Sequence, residues 1–180
     1  MKLLSPVISS IARLRKWRID NWINHPVAAQ REVLQHLVTS AQYTEFGRKY
    51  SFHKLFNVKE FKAVVPIHEY EDLKPYIERM MQGEENILWN EPVYWFAKSS
   101  GTSCDKSKFI PVSDESLQYN HYKANKDVLS NYYKYFPSSD LLTGKGLVVG
   151  GSHQISKVND QVQYGDLSAV LIQNSPFWDQ

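Results

Sequence analysis

Ser99-Ser100-Gly101-Thr102-Ser103, with Lys108 five residues further on, is the segment whose residue types could do chemistry. A tight loop of small residues lets several backbone N–H groups converge on one anion. Gly101 lacks the Cβ that would block a close approach or a positive φ. The hydroxyls of Ser99, Ser100, Thr102 and Ser103 are further donors suited to phosphate oxygens, and Lys106 and Lys108 bring positive charge. By composition alone the same residues also make an ordinary polar turn. A Walker loop is excluded, because no segment has the Gly-x-x-x-x-Gly-Lys-Ser/Thr pattern. Thr143-Gly144-Lys145-Gly146 lacks both the upstream glycine and the final hydroxyl and reads as a turn. The single cysteine, Cys104, stands beside Asp105, whose charge opposes a thiolate, so it reads as a bystander.

Other reactive side chains form no convincing group. His25, His36, His53, His68, His121 and His153 are scattered, without metal-ligand spacing to Cys, Asp or Glu. No metal ligands are assigned. His153, after Gly150-Gly151-Ser152, stands where a ligand could lie but reads as a surface residue. Tyr119, Tyr122, Tyr132 and Tyr133 could line an acyl pocket, although core packing is the simpler role.

The loop needs a frame. Val93 to Ala97 is an aromatic and β-branched run after Pro92 and reads as a strand, with residues 94–97 at its centre. Lys108 to Val112 reads as a second strand, so the two are expected to be neighbours joined by the loop. Ser113-Asp114-Glu115 starts a helix that Pro137 ends, carrying Leu117, Tyr122, Val128, Leu129 and Tyr132. Residues 147–149 suggest a third strand, and Leu167, Val170 and Leu171 a last short helix.

Upstream of residue 84 the patterning is helical. Residues 7–23 form an amphipathic helix with Val7, Ile8, Ile11, Leu14, Ile19 and Ile23 near helical spacing. Trp17 and Trp22 could anchor it at a membrane surface, but a packing helix with a solvated basic face is the better reading. His25-Pro26 divides it from the next helix, faced by Val27, Val33, Leu34, Leu37 and Val38. Asn57 caps a short helix with Glu60 as its box partner. Residues 68–82 form another, with Tyr70, Leu73, Tyr76, Ile77 and Met80 inward, a kink or break expected at Pro75, and Gly83 as its stop.

The bulk numbers bound the answer. The 180 residues are 42% hydrophobic and 22% charged, which suits one globular domain with a real core. Twenty-one basic against 19 acidic residues leave a net charge of +2, too little for a nucleic-acid partner. One cysteine favours a reducing, cytoplasmic setting. The basic run after Leu3–Ala12 falls where a signal peptide would have its cleavage site, so no export signal is read, and no stretch is long enough to span a bilayer.

Ser99-Ser100-Gly101-Thr102-Ser103, followed after four residues by Lys108-Phe109-Ile110-Pro111, closely resembles the first nucleotide motif of the plant-type hormone-conjugating (auxin-responsive) acyl acid amido synthetases, in the firefly-luciferase-like adenylate-forming superfamily. The resemblance extends to Thr44-x-Phe46-Gly47-Arg48, to Phe61 and Val65-Pro66-Ile67, to Tyr70-Glu71-Asp72-Leu73-x-Pro75-Tyr76-Ile77 and to Gly83-Glu84, in order along the whole chain. Cys104-Asp105 and Ser107 replace the glycine and proline that many superfamily members carry there.

The resemblance implies an α/β fold, the N-terminal portion of an adenylate-forming large domain, with helices packed on a partial mixed β-sheet. Residues 1–90 would be mainly helical, and 91–180 strand–loop–strand–helix–strand. It implies an ATP-dependent ligase that activates a carboxylic acid as an acyl-adenylate and then forms an amide with an amino acid, using ATP and Mg²⁺. Ser99, Ser100, Gly101, Thr102 and Ser103 would bind the nucleotide, with Lys108 catalytic. Small-molecule acid and amine are the expected partners, not nucleic acid or membrane. The family's downstream Tyr-x-x-Thr/Ser-Glu motif, ribose-binding aspartate and C-terminal domain have no counterpart here, so the chain is expected to be a fragment, inactive by itself. An acyl-CoA or aryl-CoA synthetase and a non-catalytic phosphate-binding module are the alternatives.

Overall fold

The computed structural model describes residues 15–99, 107–139, 141, 151 and 153–175. Two compact units emerge, one drawn from residues 1–30 and 118–149, the other from 31–117 and 150–180.

In the first unit, residues 15–24 form helix α1, and residues 7–14 of the expected helix lie outside the described part. Ile19 is buried, and Arg15 donates to the Lys123 carbonyl at 2.9 Å and pairs with Asp127. The Lys123 ammonium lies 4.5 Å from the Trp22 ring centre. These contacts match the packing role over the membrane-surface one. Trp17 and Ile23 are exposed, so the buried stripe is narrower than the pattern suggested. The helix after Ser113 starts as expected, with the Ser113 hydroxyl accepting the Ser116 N–H at 3.1 Å. Its first part is not α-helical, however. Ser116–Tyr122 is wound as a π-helix, and α6 follows over Lys123–Tyr135. Leu117 and Tyr122, both buried, are five residues apart, the spacing of a π-turn hydrogen bond. Val128 is exposed, whereas Ser130 and Tyr133 are buried. Tyr119 is also exposed, while buried Tyr122 and Tyr133 pack as core residues.

The second unit holds most of the remaining helices. Helix α2 spans Pro26–Ala41, beginning at the proline as expected. Its buried face is Leu34, Val38 and Ala41, at i, i+4 and i+7, while Val27, Val33 and Leu37 are exposed. Helix α3 is Glu45–Lys49, and α4 is Val58–Val64, capped by the Asn57 side chain accepting the Glu60 N–H at 3.0 Å. Glu60 reaches back to the Phe56 N–H at 2.7 Å, one residue before the cap itself. Helix α5, Tyr70–Met81, is shorter than expected by two residues at its start and one at its end, and buries Ile77, Met80 and Met81. It runs through Pro75 without a break. The hydrogen bond that Pro75 omits would have fallen on Glu71, in the exposed first turn, where water can replace it. Gly83 ends the helix with φ +95°, a backbone that favours glycine.

Strands β1 (Trp95–Ser99), β2 (Lys108–Val112), β3 (Ile155–Lys157) and β4 (Gln163–Gly165) form one mixed sheet in the order β2-β1-β4-β3. β1 pairs antiparallel with β2 and parallel with β4, and β3 and β4 are antiparallel. The fold is thus α/β, with helices on a mixed sheet, as expected. The expected strand at 147–149 lies outside the described residues.

The β3–β4 hairpin was not anticipated. Its turn is an Asx turn, in which the Asn159 side-chain oxygen accepts the Gln161 and Val162 N–H groups at 2.9 and 2.7 Å. Gly165 is needed where these strands meet, since a Cβ there would lie 2.7 Å from Ile155 Cδ1 and 2.8 Å from the Gln154 carbonyl. Helix α7, Leu167–Gln173, follows and buries Ala169 and Val170.

Phe96 and Val162, both fully buried, join Ile77, Met80, Met81, Ile87 and Val93 in one core. A second cluster, Val38, Ala41, Phe52 and Leu55, packs under Phe46, Tyr50 and Phe61. The α5–β1 core holds the edge of the sheet on which the candidate loop is mounted.

Candidate functional site

The β1–β2 pairing runs from Trp95 opposite Val112 to Ser99 opposite Lys108. β2 has the expected bounds, while β1 runs past Ala97 to Ser99, and the pairing brings the first and last candidate residues face to face. Both ends of the loop are held by sheet hydrogen bonds, so its span is set by the hairpin. Ser100, Gly101, Thr102 and Ser103 lie outside the described residues, as do Cys104 and Lys106.

Lys108 is half-buried, and its ammonium stands 5.4 Å from the centre of the Tyr70 ring. Among the described residues no carboxylate is paired with it. Tyr70 also accepts the Phe109 N–H on its hydroxyl at 2.9 Å. The Phe109 ring then meets Tyr164 of β4 edge-on, at 5.1 Å between centres. The start of β2 is thus in contact with both α5 and β4.

A second polar region contrasts with it. The Thr44-x-Phe46-Gly47-Arg48 segment, read above for its resemblance, is a structural joint. Thr44 is fully buried, donates to the Ala41 carbonyl at 2.7 Å and accepts the Gly47 N–H at 2.9 Å. It closes α2 and caps α3 with one hydroxyl. Gly47 is required because a Cβ would fall 1.9 Å from the Ala41 carbonyl oxygen.

Beyond this joint, α3, α5 and residues 66–68 border a cleft of about 590 Å³ that includes Glu45, Lys49, His68, Asp72, Tyr76 and Arg79. Its charged groups are each engaged within the protein. Arg79 grips Glu45 at 2.8 and 3.0 Å, and also Glu84. Hydrogen bonds to Glu84 and Glu45 raise the Arg79 pKa, and hydrogen bonding to Arg79 lowers both carboxylates below their ordinary range. Lys49 donates to the Tyr76 hydroxyl at 3.0 Å, which holds its pKa above the usual lysine value. His68 bonds the Tyr50 hydroxyl at 2.9 Å, and the Asp72 carboxylate accepts the Glu69 N–H at 2.8 Å.

His153 is exposed. No group of three His, Cys, Asp or Glu among the described residues could hold a metal ion. No helix among them is long and apolar enough to cross a membrane. Two residues that sequence reasoning did not single out matter here, Tyr70 and Arg79. Tyr70 was read as an inward helix residue and as the first of a segment that resembles the family, and nothing local ties it to Lys108, 38 positions away.

Residues 15–180 match the GH3 family N-terminal domain. The chain belongs to the GH3 family. The curated relatives include the indole-3-acetic acid-amido synthetase GH3.2 of Arabidopsis thaliana, 35% identical over 100 residues, covering 55% of this chain and 18% of the relative. GH3.4 of the same plant, also an indole-3-acetic acid-amido synthetase, is 31% identical over 130 residues, 72% of this chain and 21% of that protein. Jasmonoyl--L-amino acid synthetase JAR6 of Nicotiana attenuata is 33% identical over 90 residues, 49% of this chain and 16% of that protein. Among solved structures, AtGH3.15 acyl acid amido synthetase in complex with 2,4-DB superposes with a TM-score of 0.66 at 27% identity, covering 80% of this chain and 25% of that one. The chain spans about a fifth of the length of the two Arabidopsis relatives.

Proposed function

We propose that this chain is the N-terminal part of the large domain of an acyl acid–amino acid ligase, contributing the phosphate-binding loop to ATP-dependent adenylation of a carboxylic acid. The observation that carries this reading is the register that sets Ser99 opposite Lys108, with the lysine unpaired by any described carboxylate. An ammonium resting on an aromatic face fits an anionic ligand better than one locked in an ion pair. The amido synthetase names of the relatives support the reaction class.

In this reading ATP is a substrate. The hydroxyls of Ser99, Ser100, Thr102 and Ser103, with the backbone around Gly101, donate hydrogen bonds to the β- and γ-phosphate oxygens. Holding those groups aligns the α-phosphorus with an incoming carboxylate. Lys108 neutralises the charge that grows as pyrophosphate leaves. Mg²⁺ would arrive with the phosphates and add Lewis-acid stabilisation there. The amine of an amino acid then attacks the activated acyl carbon, giving the amide and AMP. The acid is a small molecule of the kind named for the relatives, and the setting is cytoplasmic.

Acid-dependent exchange of labelled pyrophosphate into ATP by the full-length protein, screened over aryl and alkyl carboxylic acids, tests the reading. Exchange with at least one acid, followed by amide formation when amino acids are added, is expected. No exchange with any acid overturns it. The 180-residue chain by itself is expected to give none, because it spans only a fraction of a GH3 protein's length.

A further inference from the structure

Tyr70 makes two bonds to the same short stretch, and both end at the exit of the candidate loop. Its hydroxyl takes the Phe109 N–H at 2.9 Å, and its ring face carries the Lys108 ammonium at 5.4 Å. The ring itself is well placed by its own helix. Tyr70 is the first residue of α5, whose start is fixed by the Asp72 carboxylate on the Glu69 N–H, and it packs against the Ile77–Phe96 core.

We infer that Tyr70 is the positioning residue for Lys108, holding its backbone by the hydroxyl and its ammonium by the ring, so that the cation is held with no ion pair to a described carboxylate. This rests on the adenylation reading for its consequence, but the clasp itself does not. A cation over an aromatic face is held by an attraction far weaker than a desolvated ion pair. It keeps Lys108 from wandering into solvent or onto a carboxylate, yet yields when a phosphate offers a stronger partner. Arg79, gripped by two carboxylates, shows the committed alternative in the same protein.

The test uses the full-length protein and two readouts. The first is single-turnover adenylation in a cycle of Tyr70→Leu, Lys108→Ala and the double variant. Tyr70→Leu is expected to slow the step roughly tenfold, as misplacing a reacting group does, with little change in the KM for ATP. In the Lys108→Ala background the same change should cost nothing more. Tyr70→Phe, which keeps the ring and drops the hydroxyl, should cost about threefold or less. Additive losses in the cycle would show a purely structural tyrosine and overturn the inference.

The second readout needs no activity. The rate at which Lys108 is acylated by an amine-reactive ester, followed by peptide mass spectrometry without nucleotide, should rise about two- to fivefold in Tyr70→Leu, the scale of an exposed cation–π contact. It should stay at the parental value in Tyr70→Phe. Equal labelling in all three proteins, or faster labelling in Tyr70→Phe, removes the ring from the account, and the Phe variant decides this even if the Leu variant fails to fold. Absence of pyrophosphate exchange in the parent would defeat the adenylation reading while leaving the labelling to judge the clasp.

Discussion

Two polar segments of this chain look alike in sequence and differ in what they leave available. Thr44 to Arg48 and Ser99 to Lys108 each combine at least one hydroxyl residue, a glycine and at least one basic side chain. In the first, every polar group whose place matters is used internally. The Thr44 hydroxyl both donates and accepts within the backbone, and the glycine makes room for a carbonyl. In the second, Ser99 and Lys108 are held by strand pairing, and among the described residues no carboxylate pairs with the lysine. The cations teach the same lesson. Arg79 sits between Glu45 and Glu84, while Lys108 rests on a tyrosine face. A hydroxyl, a glycine and a base close in sequence are thus not enough to mark a ligand site, since at Thr44–Arg48 the hydroxyl and the glycine serve the joint itself.

The largest effect expected from this contrast is kinetic. Lys108→Ala in the full-length protein should slow acyl-adenylate formation by about two orders of magnitude, the usual scale for removing one preorganised contact to developing charge. The loss should fall on turnover more than on ATP affinity. Lys106→Ala, at a position that sequence places nearer the middle of the loop, should be milder. Single-turnover measurement of both variants checks the assignment, and a crippled Lys106 variant beside a healthy Lys108 one would reverse it.

Next in size are losses of stability at the joint. Gly47→Ala forces a Cβ to within 1.9 Å of the Ala41 carbonyl oxygen unless the backbone yields. A cost of about 1–3 kcal/mol is expected, as for other overpacked sites, read from chemical denaturation. Thr44→Ala removes the hydroxyl that accepts the buried Gly47 N–H, while the Ala41 carbonyl keeps the Thr44 N–H, and should cost about 1 kcal/mol. Neither change should alter adenylation per folded molecule, since both act at the α2–α3 joint. A turnover defect in Gly47→Ala at full occupancy of the fold would erase the distinction between the two segments.

The smallest effect is a pH dependence. Glu45 and Glu84 have their pKa values lowered by hydrogen bonding to Arg79. Groups lowered on folding contribute stability above their unfolded pKa, near 4.5, and lose it as pH falls through their folded values. The difference in melting temperature between the parent and Arg79→Met should therefore be greatest above about pH 5 and shrink as the solution is acidified below 4.5. It should also shrink with added salt, because these groups are solvent-exposed. A difference that stays flat from pH 7 to 3 would mean that Arg79 acts by packing alone.

Local signals were legible where neighbours in sequence decide the outcome. Pro26 opens α2, Asn57 caps α4, Gly83 stops α5, and the β-prone runs on either side of Ser100–Ser107 do become paired strands. The π-wound stretch at Ser116–Tyr122 was not foreseen, and of the kink or break expected at Pro75 the break is absent, because local propensity says little about a turn widened to bury Leu117 and Tyr122 or a missing bond left in solvent. The β3–β4 hairpin could have been found from Asn159-Asp160 between two short β-prone runs, although strands of three residues leave almost no periodicity to read.

By itself the sequence determined the hydroxyl-rich loop, the lysine after it and the family to which both belong, since those depend on residue type and spacing. Tertiary structure alone decided which charges are spent and which are free. Whether Arg79 meets two carboxylates, or Lys108 meets a tyrosine 38 positions away, depends on how α3, α5 and the sheet pack. Such contacts form across long separations in the chain, and side-chain chemistry alone names many possible partners but selects none of them.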